Sequence, residues 1–142
     1  MKQYFKYNKP VVIGEFGCCT YRGAEDLGGM GWDVIDFSKM PRVLKGNVVY
    51  DQEVQAHELS DQLSILDDVG VDGAFVFTFV QPAIETNDPV VTKMLQNLAF
   101  NPDIASYSLV KSYSSSHGVT YPDMTWEPKL SFRRVADYYA KH

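Results

Sequence analysis

Cysteine is scarce in this chain. Of 142 residues only 2 are cysteine, and they are neighbours, Cys18 and Cys19. A disulfide needs a separation and torsion that adjacent residues rarely reach, so both read as free thiols. There is no CxxC spacing, and His57, His117 and His142 stand far apart. No metal site follows from such a pattern, and no cofactor is expected. Clustered positive charge is missing too. The 13 Lys and Arg against 18 Asp and Glu leave a net charge of -5. Apart from Arg133-Arg134 the basic residues stand singly, which removes the footprint that a nucleic acid or an anionic membrane surface would need. Long hydrophobic runs are absent as well: nothing approaches the roughly 20 apolar residues that span a bilayer. The opening Met-Lys-Gln-Tyr-Phe-Lys-Tyr has no signal-peptide core, so the expected location is cytoplasmic. No internal repeat or low-complexity tract appears.

What the chain does have is an apolar content of 45%, enough for one domain with a real core. Its centre of interest is Pro10 to Gly17, Pro-Val-Val-Ile-Gly-Glu-Phe-Gly. The run Val11-Val12-Ile13 has no polar alternation, as in a strand buried on both faces of a parallel sheet. Gly14 and Gly17 flank the exit, and Glu15 stands at the strand's carboxyl end, where ligands of α/β proteins bind. Glu15 either faces a substrate there or caps a helix or pairs with a rim lysine; the residues alone leave both open. Either thiol lines the same pocket or, the commoner fate, fills space under the loop.

Residues 18–50 read as a long loop rich in glycine and aromatics. Its Gly-Gly-Met-Gly run lacks the spacing of a phosphate cradle. From Asp51 to Val69 the pattern is helical: Asp51 is the N-cap, Val54, Leu59, Leu63, Leu66 and Val69 form one stripe, and Gly70 is the stop. His57 within it reads as a packed or surface histidine rather than a ligand. Ala74 to Val80 is a second apolar strand. Strand, helix and strand over residues 10–80 make a βαβ unit with parallel strands and a right-handed crossover, so both carboxyl ends open on one side. Gln81 to Pro89 is a rim loop. The tail 89–142 is expected to be helical, with helices over Pro89 to Asn97, Asp103 to Tyr113, and from Glu127-Pro128-Lys129 to Tyr139.

These residues suggest a family. Pro10 to Gly17 resembles the seventh strand of the (β/α)8-barrel glycoside hydrolases of the large retaining clan, in which a nucleophilic glutamate ends that strand. Gly73 to Val80 resembles the eighth strand, Asp51 to Val69 the helix between, and Trp126-Glu127-Pro128-Lys129 through Tyr139 the closing helix. More narrowly, Gly-Glu-Phe-Gly-Cys-Cys-Thr-Tyr-Arg-Gly with the downstream Gly-Gly-Met-Gly-Trp is similar to bacterial barrel proteins labelled abortive infection proteins. A whole barrel needs about 250 residues. The resemblance therefore implies a partial TIM (β/α)8 barrel: the last two βα units, with parallel strands and a C-terminal helix, from a larger parent.

It also implies an activity. The parent would hydrolyse a glycosidic bond by a retaining mechanism, with Glu15 as nucleophile and the fragment alone inactive. The family's acid/base lies on a strand this chain lacks, and Glu85 and Asp88 are weak substitutes on the neighbouring loop. The sugar-stacking tryptophan of the eighth strand has no counterpart; Phe77 or Phe79 stands near its place. Tyr21, Arg22 and Trp32 are candidates for shaping a carbohydrate pocket, with Arg22 pairing to Glu15, or else are loop packing. The alternative is a non-catalytic barrel protein acting in phage defence or as an interaction module. Expected partners are a carbohydrate, and the N-terminal remainder of the barrel or a second copy.

Overall fold

In the computed structural model, which describes residues 2–81, 99–113 and 115–141, the elements form a mixed α/β arrangement. A 3-10 helix, Lys2–Tyr7, leads into strand β1, Val12–Phe16. The following loop is more structured than expected. It holds short 3-10 helices, Ala24–Asp26 and Gly28–Val34, and an antiparallel pair of two-residue strands, β2 (Ile35–Asp36) and β3 (Val43–Leu44). Helix α1, Gln52–Val69, begins and ends where its capping residues dictate. Asp51 accepts the Glu53 N–H at 3.0 Å, and Gly70 closes the helix at φ 78°, a left-handed conformation that costs glycine little. Strand β4, Gly73–Val76, then pairs parallel with β1, completing the expected βαβ unit.

The register of that pair has one irregularity. Ile13 stands beside Ala74 and Phe16 beside Val76, so three steps along β1 match two along β4. The extra residue is a bulge at Gly14-Glu15 opposite Phe75. Without it, Ile13 and Phe16 would lie on opposite faces of the sheet; with it, both share a face. Phe16 and Val76 pack into a core of Leu59, Leu63, Leu109 and Val135, where α1 meets helix α2, Leu130–Tyr139.

The other face of the pair is open. Phe75 is 64% exposed and Val12 50%, so the expected burial on both faces is not met. The reason is that, among the described residues, the helical layer lies on one side alone. A parallel pair normally has both sides covered.

Two further expectations are corrected. Asp103 to Tyr113 is not a helix: a single 3-10 turn, Pro102–Ala105, gives way to extended chain and strand β5, Val110–Ser112. Likewise Trp126–Pro128 is strand β6, antiparallel to β5, and the closing helix starts only at Leu130. The segment before β5 lies alongside the continuation of β4. Thr78 donates to the Tyr107 carbonyl at 3.3 Å, Leu109 donates to that of Thr78 at 2.9 Å, and Val80 bridges Val110 in parallel. The helix expected over Pro89 to Asn97 lies outside the described residues.

Candidate functional site

Glu15 is exposed in the bulge of β1, two residues before the chain turns under the loop. Glu15 shares the bulge opposite Phe75, a side chain on the open side of the sheet. The turn that follows works only with glycine: a Cβ on Gly17 would overlap the carbonyl oxygen of Phe77 and stand 3.2 Å from the Tyr107 ring. Phe77 donates its N–H to the Phe16 carbonyl at 2.8 Å. The two strand ends are therefore in backbone contact at the rim.

Tyr107, a residue that the sequence reading misses, holds the next layer of that rim. Its ring lies 6.0 Å from that of Phe77. Its N–H donates to Gln81 Oε1 at 3.0 Å, and its hydroxyl to the Gly28 carbonyl at 3.2 Å. The Gly28–Val34 turn is thus seated on Tyr107. A Cβ at Gly31 would crowd both the Cys19 thiol and the Tyr107 hydroxyl. The signal available was the alternation Ser106-Tyr107-Ser108, which is a strand pattern within a stretch read as helix.

The other candidates fall in different places. Tyr21 is in the core under the loop, with its hydroxyl donating to the Gly31 carbonyl at 2.6 Å; burial pushes that phenol up to about 12. Arg22 does not pair with Glu15. Its Nε meets Asp51 Oδ2 at 2.9 Å, an exposed pair at the start of α1 that holds the Asp51 carboxyl below the usual range. Asp51, at the N-cap of α1, is the carboxylate that folding brings to Arg22. Trp32 is 41% exposed and meets Phe37 edge-on at 5.9 Å. Phe79 stands edge-on to Trp126 at 5.4 Å and to Phe132 of α2 at 6.1 Å. That contact draws its ring toward the helical layer. Glu85 lies outside the described residues.

Behind the rim sits a buried polar network. Lys129 is 1% exposed, yet its ammonium donates to Thr20 Oγ1 at 2.8 Å and to Asp103 Oδ1 at 3.1 Å. The second Asp103 oxygen accepts the Tyr50 hydroxyl at 2.7 Å. Burial pulls the Lys129 ammonium below its ordinary range, and the Asp103 carboxylate opposes that shift. Gln55 donates to the carbonyls of Cys18 and Ser108, and accepts from Ser131.

Both thiols are buried against this network, and desolvation pushes each up to about 12. They are space-filling groups rather than nucleophiles. A disulfide-exchange reagent at about pH 8 should leave Cys18 and Cys19 unmodified until denaturant is added; rapid reaction of either in the folded protein would contradict the burial. Between about 9 and about 12 the folded chain keeps thiol protons that the unfolded chain has released. Stability should therefore fall as the pH rises through that interval.

Among the described residues no group of three or more His, Cys, Asp or Glu side chains could hold a metal ion, and no helix is long and apolar enough to cross a membrane. Glu15 is an exposed carboxylate at a strand end beside exposed aromatic surface, and such a group can attack a carbon or accept a proton. No protein-family model matches the chain, and no curated protein matches it.

Proposed function

We propose that this chain is the glutamate-bearing part of a barrel that cleaves glycosidic bonds with retention, Glu15 being the nucleophile. The observation that carries the reading is the bulge at Gly14-Glu15, with an exposed carboxylate at the carboxyl end of a parallel strand. Bulges recur beside active sites because they re-aim one side chain.

In this mechanism a Glu15 oxygen bonds to the anomeric carbon as the glycosidic C–O bond breaks. A second carboxyl group about 5 Å away protonates the leaving oxygen, then takes a proton from the water that releases the sugar. That second group comes from the remainder of the barrel, so the chain alone is inactive. A fluoroglycoside that traps the covalent ester should attach to Glu15 when offered to the complete barrel and to nothing when offered to this chain. Attachment to another residue, no attachment with any glycoside, or turnover by the chain alone would each overturn the proposal.

A second reading rests on a different observation. Phe75, Val12 and Phe77 present exposed apolar surface beside Glu15, which suits an interaction module that keeps the fold without hydrolysis. If Glu15→Gln left the biological activity of the complete protein intact, this reading would replace the first.

A further inference from the structure

Gln55 is a polar side chain with no exposure at all, reaching inward from α1. Its amide nitrogen donates to the Cys18 carbonyl at 2.8 Å and to the Ser108 carbonyl at 3.2 Å. Its amide oxygen accepts the Ser131 hydroxyl of α2 at 2.8 Å. The two carbonyls fix which end of the amide is the donor, because a flipped amide would present its oxygen to both of them. One nitrogen therefore bridges the chain leaving Glu15 and the chain carrying Tyr107, close to two direct bonds in which Thr20 donates its N–H to the Ile104 carbonyl and its hydroxyl to the Ser106 carbonyl, each at 3.2 Å.

We propose that Gln55 is a positioning residue of the Glu15 rim, setting the separation of the turn after Glu15 and the Tyr107 segment at the level of Cys18 and Ser108. The geometry leaves little slack. Cys18 is three residues beyond Glu15, and Ser108 directly follows Tyr107. Between the two anchored carbonyls, Gly17 lies against the Phe77 carbonyl and the Tyr107 ring. If the amide is removed, the Cys18 and Ser108 carbonyls lose a buried donor and each must turn to find another. The Gly17 contact with Tyr107 is the first that this turning opens, and with it goes the orientation of the bulge. As a claim about a catalytic rim, this rests on the glycosidase reading; as a claim about geometry, it does not.

The test is by NMR on the full chain. Gln55→Met keeps the side-chain volume and removes the donor. The Gly17 Hα to Tyr107 ring cross-peak should be lost while methyl contacts among Leu59, Leu63 and Val135 persist. Ser131→Ala, which keeps the donor and removes the bond that anchors the amide to α2, should weaken the same cross-peak, and it decides the matter if Gln55→Met does not fold. Leu63→Ala, which loosens the helical core without touching the amide, should leave the cross-peak in place. An unchanged cross-peak in folded Gln55→Met or in Ser131→Ala would overturn the proposal, as would equal loss in Leu63→Ala. In the complete barrel, Gln55→Met should also slow ester formation at Glu15. Failure of the unmodified protein to form that ester would sink the glycosidase reading and leave the NMR result standing.

Discussion

Replacing Lys129 by methionine should destabilise the chain by about 3–5 kcal/mol, the cost of leaving one member of a buried ion pair uncompensated. The pair is well placed for an effect of that size. Lys129 is 1% exposed and Asp103 7%, and they meet at 3.1 Å. The Asp103 carboxylate would keep only the Tyr50 hydroxyl among the partners described above, and Thr20 would lose the ammonium that donates to it. With a urea slope of about 1–3 kcal/mol/M, the unfolding midpoint should fall by about 2 M. The informative comparison is the double variant K129M/D103L, which removes both charges. It should recover most of the loss, because well-packed apolar replacements of a buried pair are often neutral. If Lys129→Met stayed within about 1 kcal/mol of the parent, the ammonium would have to be solvated, against the burial described.

Gly17→Ala should destabilise by about 3 kcal/mol, combining overpacking with damage to a strand hydrogen bond. The added methyl would meet the carbonyl oxygen of Phe77, a backbone atom that cannot rotate aside as a side chain would. Relief requires β1 and β4 to separate at the rim, where Phe77 donates to the Phe16 carbonyl. Gly14→Ala is the internal control. No atom lies within 4 Å of a Cβ built there, and the change should be neutral or slightly stabilising. Equal thermal midpoints for the two variants would show that the strand ends are not in contact as described.

Local signals in the sequence were sufficient where one element decides its own shape. Asp51, the Leu59-Leu63-Leu66 stripe and Gly70 specify α1 without reference to anything else. The apolar run around Val12 and the one around Val76 specify two strands, and a helix between them makes parallel pairing the natural outcome. What could not be read was set by distant partners. Ser106 to Val110 looked helical only because the neighbouring Phe77 to Val80 chain, which makes it extended, is nearly 30 residues away in sequence. The bulge at Gly14-Glu15 depends on register against Ala74 and Val76, which no strand reveals on its own. Arg22 was matched by proximity to Glu15, whereas folding brings it to Asp51, 29 positions on. Lys129 read as a helix-start residue, and only tertiary burial makes it an internal cation.

The bond from Lys129 to Thr20 spans 109 positions of sequence. During synthesis Thr20 and Cys19 therefore leave the ribosome on the order of ten seconds before the ammonium that completes their surroundings. Until then the segment around Thr20 is without that internal partner, and such waiting intermediates are where newly made chains associate wrongly. For this protein the interior closes only after the segment that carries Lys129 has been made.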